Sequence, residues 1–252
     1  MLIDTHCHIH DVDYPINSEL AYDNAKNAGV QRMVCVGTDE ENSKLAVEFA
    51  NEHDGVYVAV GIHPHESKNG LDELEDIILD NIDDEKLIAI GEIGLDYHYD
   101  HSPRDVQKNI MRSQIKLAQK YNLPIIFHVR EAYDDFWEIL DEFSGVRGVL
   151  HSFTDSQTNA EKALRRGLYI GVNGFCTFVK DQALIDMFSE LPLEKIILET
   201  DAPYLTPRPF RGRVNEPAFV KNIAEFFSDF RHISVDELAE ITTTNARNLF
   251  EL

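Results

Sequence analysis

Apolar, β-branched-rich stretches recur along the 252-residue chain at "LIDTHCH", "RMVCVG", "GVYVAVGIH", "KLIAIGEIG", "LPIIFHV", "VRGVLHSF", "LYIGVN" and "KIILET". Each is short and nearly continuous in apolar residues, the pattern of a strand buried on both faces. Between them lie stretches with apolar residues at three- and four-residue spacing, including "NSELAYDNAKNAG", "EENSKLAVEFANEH", "PRDVQKNIMRSQIKLAQKYN" and "SQTNAEKALRRG". These predict amphipathic helices, the first ending at a Gly and the third opening with Pro at its first turn. Eight strands alternating with helices predict a parallel sheet covered by helices. A length near 250 residues suits a closed (β/α)8 TIM-type barrel that takes up residues 1–252 as a single domain. The competing architecture is an open doubly wound sheet. Its dinucleotide-binding form fails on detail, because "GEIGLD" is not GxGxxG and does not follow the first strand.

Composition narrows the class. Hydrophobic residues make up 43% and charged residues 27%, the profile of a globular chain, and no apolar run approaches a membrane span. The N-terminus runs straight into a strand pattern with a carboxylate at Asp4, which leaves no room for a signal peptide and predicts a cytoplasmic protein. Cys7, Cys35 and Cys176 lie in apolar segments without CxxC spacing and read as buried, reduced thiols. With 23 Lys and Arg against 45 Asp and Glu, the formal charge of −22 argues against a broad nucleic-acid-coating surface. Any anionic substrate must be handled locally. Much of the acid lies in "LDELEDIILDNIDDEK", which reads as the solvated face of an outer helix.

The candidate chemistry sits at strand ends. In "MLIDTHCHIH", Asp4, His6 and His8 occupy alternate positions, so in a strand they share one face. Neutral imidazoles and carboxylates are ligands for divalent transition metals. The C-terminal ends of later predicted strands add His63, Glu92, His128 with Arg130, His151, and Asp201, with Glu199 one pleat earlier. Five of the 11 histidines fall at such ends in apolar surroundings, on the face where barrel enzymes build active sites. A carboxylate such as Glu92 emerging from an apolar strand is expensive to bury bare, and a divalent cation compensates it. His10, His53, His65, His98, His101 and His232, beside charged residues in loops or at helix ends, read as ordinary solvated or supporting histidines.

The motifs "DTHCH", "GIHPH", "AIGEIGLDY", "FHVREA", "LHSF", "ETDAPYL" and "NEP" follow one another over residues 4–217. In their order and residues the chain resembles the TatD-related metal-dependent deoxyribonucleases, a branch of the amidohydrolase-like barrels. The resemblance implies a (β/α)8 barrel with divalent ions held by His6, His8, Glu92, His128, His151 and Asp201. Keeping the first HxH pair, which some members lack, favours a complete site with two ions, Mg²⁺, Mn²⁺ or Zn²⁺. Glu92 would replace the modified lysine that bridges metals elsewhere in the superfamily.

Two cations about 3.5–4 Å apart can activate a water and clamp a phosphoryl oxygen. In this reading Glu92 bridges, Asp201 accepts the water's proton, and His63 either supports a metal ligand or contacts the leaving group. Arg130 suits a hold on a phosphate, or alternatively pairs with Glu131 or Asp134. The loop "APYLTPRPFRGRVN" carries Arg208, Arg211 and Arg213 without an acid, with Tyr204 and Phe210 available to stack a base, or else it is a rigid connector. The expected substrate is DNA, as strand ends or single strands, cut by a monomer with no membrane association. The same ions could hydrolyse a carboxylic ester or amide, including an aminoacyl ester on transfer RNA. A non-catalytic metal-binding barrel would predict missing ligands, and none of the six is missing.

Overall fold

The apolar runs form eight strands and the amphipathic stretches form helices between them, in a computed structural model that describes every residue from Met1 to Leu252. In chain order the elements are β1 (Leu2–Cys7), α1 (Ser18–Ala28), β2 (Val30–Val36), α2 (Glu40–Glu52), β3 (Val56–Val60), α3 (Leu74–Asn81), β4 (Leu87–Asp96) and α4 (Arg104–Lys120). They continue with β5 (Ile125–Arg130), α5 (Tyr133–Leu140), β6 (Gly148–Leu150), α6 (Gln157–Arg165), β7 (Tyr169–Val172), α7 (Gln182–Glu190), β8 (Ile196–Leu198), α8 (Val220–Arg231) and α9 (Val235–Phe250). The strand order in the sheet is the chain order, β1 to β8, and β1–β2, β3–β4, β4–β5, β5–β6 and β7–β8 pair in parallel: a (β/α)8 fold.

Helix boundaries follow local chemistry. Asn17 caps α1 by accepting from the Leu20 N–H at 2.8 Å, and Gly29 ends it in the left-handed conformation at φ 89°. Pro103 is the N-cap of α4 and not a first-turn residue, which its fixed φ also permits. The acidic stretch yields only the eight-residue α3, burying Leu74, Ile77 and Ile78, because Asp84 turns its carboxylate back onto the Lys86 N–H at 3.0 Å. After β8 no strand remains, yet α8 and α9 follow, and both carry a buried apolar stripe.

The chain forms two compact units, Met1–Cys35 with Ser152–Leu252, and Val36–His151. In the first, Ile170, Ile196, Ile197 and Leu198 pack with Val220, Ile223, Phe227 and Leu238, all at or below 2% exposure. In the second, Val58, Val60, Ile90, Ile93 and Leu95 pack with Met111, Ile115, Phe127 and Phe136. Each such side chain contributes roughly 1.5–3 kcal/mol on leaving water. All three cysteines are buried without a disulfide. Of the histidines read as solvated or supporting, two are buried: His10, and His53, whose ring stacks on Phe49 at 4.0 Å while Nδ1 donates to the Phe49 carbonyl at 2.7 Å. Covering by the preceding turn of α2 is a tertiary outcome that a charged sequence neighbourhood hides.

Candidate metal centre

In the first unit, the two-residue period of β1 aims Asp4, His6 and His8 the same way, and the three then part. Asp4 is fully buried and receives the Thr200 N–H at 2.7 Å and the Thr200 hydroxyl at 2.5 Å. Burial pushes its carboxyl well above the usual range against those hydrogen bonds, and its role is to tie β1 to the end of β8. Beyond it, His6 Nε2 and His8 Nε2 stand 3.1 Å apart. Asp201 Oδ1 lies 3.9 Å from the first and 3.7 Å from the second. A four-coordinate ion with bonds of 2.0–2.2 Å separates its ligand atoms by about 3.3 Å, so small side-chain movements would bring these three donors into one coordination shell.

Asp201 reaches this place through an unusual backbone. Its φ is 60°, a conformation that Asp tolerates better than most residues. Its N–H donates to the His6 carbonyl at 2.8 Å. The fully buried Asn215 clamps the loop on either side of it, its amide donating to the carbonyls of Thr200 at 2.8 Å and Tyr204 at 2.5 Å. The Asn of the "NEP" motif is therefore the residue that fixes Asp201.

In the second unit three imidazoles converge on one carboxylate oxygen. Glu92 Oε1 lies 2.7 Å from His128 Nδ1, 3.6 Å from His151 Nε2 and 3.8 Å from His63 Nε2, and Glu92 is only 3% exposed. His63 Nδ1 accepts the His65 N–H at 3.2 Å, which leaves its proton on Nε2, facing Glu92. Burial holds His63 neutral, well below the ordinary histidine range, and the neighbouring His128 adds to that. His128 has a carboxylate at each nitrogen: Glu92 at Nδ1, and Asp96 Oδ2 at 3.2 Å from Nε2. Burial opposes its protonation, and the hydrogen bonds to Asp96 and Glu92 outweigh burial and raise its pKa to about 9. The donor set, imidazole nitrogens around a buried carboxylate, suits borderline divalent ions.

Asp96 escapes the sequence reading, whereas Glu199 does not. Asp96, 1% exposed, receives the N–H groups of His98 and Tyr99 on Oδ1 at 3.0 and 2.9 Å, and His65 Nε2 on Oδ2 at 3.0 Å. Its signal was present, since Glu92, Gly94 and Asp96 repeat the alternate spacing of Asp4, His6 and His8. Glu199 is buried in β8's extension, where its Oε1 accepts from the Ser152 N–H at 2.6 Å and lies 3.4 Å from the Asn173 amide nitrogen. A Cβ on Gly171 would stand 2.5 Å from Glu199 Oε2, so only glycine leaves room for that carboxylate.

The predicted substrate contacts fare unevenly. Arg130 is exposed with its guanidinium 4.8 Å from the centre of the Tyr99 ring, while Glu131 pairs with His98 Nδ1 at 2.7 Å. Tyr204 is 61% exposed and offers a ring face. Phe210 stacks on Phe219 at 4.4 Å, Arg213 lies 5.6 Å from the Phe210 ring, and Arg211 sits 3.8 Å over Phe178 while donating to the Thr206 carbonyl at 3.1 Å. Phe210 is thus taken up in a stack, while Arg211 and Arg213 stay exposed. Arg208 borders an apolar cavity of about 260 Å³ with Phe188, Phe226, Phe227 and Phe230.

A parallel (β/α)8 fold with buried imidazoles and carboxylates at the C-terminal ends of its strands defines a metal-dependent hydrolase. The chain belongs to the TatD-related DNase family, which matches residues 3–251. It is 40% identical to the metal-dependent hydrolase YabD of Bacillus subtilis over 254 residues, covering all of both chains. It is 34% identical to the 3′-5′ ssDNA/RNA exonuclease TatD of Salmonella typhimurium over 232 residues, 89% of each chain. The crystal structure of YjjV, a TatD homologue of Escherichia coli, superposes with a TM-score of 0.91 at 30% identity, covering 100% of this chain and 98% of that one. No helix is long and apolar enough to cross a membrane.

Proposed function

We propose that residues 1–252 act as one hydrolase domain that cleaves phosphodiester bonds in single-stranded DNA or at strand ends. The observation that carries this reading is the convergence of His128, His151 and His63 on Glu92, matched by the His6, His8 and Asp201 set, in a chain similar to an exonuclease. His6, His8 and Asp201 would serve as ligands of divalent metal, as would Glu92, His128 and His151, two ions in all; Mg²⁺, Mn²⁺ and Zn²⁺ all accept such ligands. The ions would supply a water of lowered pKa and charge stabilisation for the phosphoryl oxygens.

The protein's own groups divide the remaining work. Asp201, fixed by Asn215 and the His6 carbonyl, accepts the proton of the attacking water. His63, neutral and with its proton on Nε2, donates a hydrogen bond to the departing oxygen, which takes its proton from water. Arg130 at the surface holds a neighbouring phosphate. The protein works as a cytoplasmic monomer in this reading.

The test is a panel of 3′- and 5′-labelled oligonucleotides with each divalent ion, run beside carboxylic esters including an aminoacyl-tRNA. New phosphate and hydroxyl ends are expected from DNA. Release of free acid from the ester, with intact oligonucleotides, would transfer the same residues to ester hydrolysis.

A further inference from the structure

We propose that Tyr99 and His101, flanked by Arg130, form a stacking platform for an unpaired nucleobase of the substrate strand; the proposal rests on the nuclease reading above. Tyr99 is 52% exposed, and its ring lies parallel to that of His101 within 5°, centroids 5.7 Å apart. At that separation the parallel rings are slipped and overlap only at their edges, which leaves most of the Tyr99 ring uncovered by His101. The Arg130 guanidinium lies over one face of the Tyr99 ring, 4.8 Å from its centre, and leaves the other face to a base. His65 is nearly perpendicular to both rings, 5.4 Å from Tyr99 and 4.6 Å from His101.

One exposed tyrosine is unremarkable on a protein surface. This one is held by the same buried carboxylate that holds a proposed metal ligand. Asp96 Oδ1 accepts the N–H groups of His98 and Tyr99, and Asp96 Oδ2 meets His65 Nε2 and His128 Nε2. The platform is thereby registered against His128 through two bonds to a single side chain. A base on it has its sugar-phosphate backbone beside Arg130, two residues along β5 from His128.

The charge of the chain favours this mode of recognition. At −22, the protein as a whole repels a polyanion, and in the loop after β8 Phe210 is already stacked on Phe219 and Arg211 lies over Phe178. Stacking supplies affinity without net charge and accepts any base, provided the strand is unpaired. The platform therefore selects single strands over duplex.

The experiment uses the metal-loaded protein and a cleavage-resistant phosphorothioate single strand carrying 2-aminopurine at successive positions from one end. Wild-type protein is expected to quench the probe at one position only. Tyr99→Ala should abolish that quenching and raise Kd about tenfold or more, Tyr99→Trp should retain both, and His101→Ala should fall between. Circular dichroism checks that each variant is folded. Unchanged quenching and Kd in Tyr99→Ala, with wild-type protein still cutting unmodified DNA, would overturn the platform and leave the nuclease reading intact. Wild-type protein that neither binds nor cuts single strands would overturn both.

Discussion

Replacing Asp96 by Asn removes one charge and almost no volume from the most connected side chain near the candidate metal centre. The Asn oxygen can still accept the N–H groups of His98 and Tyr99. Its amide then faces His65 Nε2 and His128 Nε2, which met a carboxylate oxygen at 3.0 and 3.2 Å. Each of these is a charge-assisted bond, roughly 1.5–3 kcal/mol against about 0.5–1.5 for a neutral one, so the change costs about 2–3 kcal/mol. For a chain of this size that lowers Tm by about 4–12 °C. The pH dependence follows from the two shifts. The hydrogen bonds from His128 and the Tyr99 N–H hold the Asp96 carboxyl well below its usual range despite burial, so its contribution is present above about pH 4 and is lost as pH falls further. The pKa of His128 is raised to about 9, so its contribution is complete below about pH 6.5 and is lost as pH rises through 9. The gap between wild type and Asp96→Asn should therefore be widest near pH 5–6.5 and narrow on both sides. Thermal unfolding by circular dichroism in chelator, from pH 3 to 10, measures it. A Tm difference under about 2 °C, or one that does not vary with pH, would refute the assignment of Asp96 as an ionised partner of His128.

Chelation should abolish hydrolysis and a divalent ion restore it; full activity in metal-stripped protein would remove the basis of the mechanism. Glu92→Gln should reduce turnover about a hundredfold or more and weaken metal uptake measured by calorimetry, because the site loses the carboxylate charge on which the three imidazoles converge. Gly94→Ala places a Cβ 1.9 Å from the His128 carbonyl at a φ of 149°, and should destabilise the protein by about 3 kcal/mol in denaturant unfolding, since neither strand backbone can yield. Among the loop arginines, Arg208→Gln should flatten the slope of log K against log salt for single-stranded DNA by about 0.7, whereas Arg211 and Arg213, engaged with Phe178 and Phe210, should change it little when replaced by Gln.

The alternation of apolar runs with amphipathic stretches determined the fold class, because a strand buried on both faces leaves a continuous apolar signature that no helix of that length shares. The two-residue period of a strand likewise made His6 with His8 legible as one-sided pairs, and the same rule, applied to Glu92 and Asp96, would have found the second carboxylate. Tertiary structure decided the partners. Asp4 satisfies the strand rule as fully as His6 does, yet it is occupied by Thr200, a residue 196 positions away. Phe210 and Arg211 carry the composition of a binding loop and are spent on Phe219, Phe178 and Thr206. His65, His98 and His101 carry the composition of a solvated loop and are ordered around Asp96 and Tyr99. Spacing fixes the direction in which a side chain leaves its own strand; the atoms that meet it come from chain segments whose distance in sequence carries no information about contact, and for the polar residues those atoms decide the role.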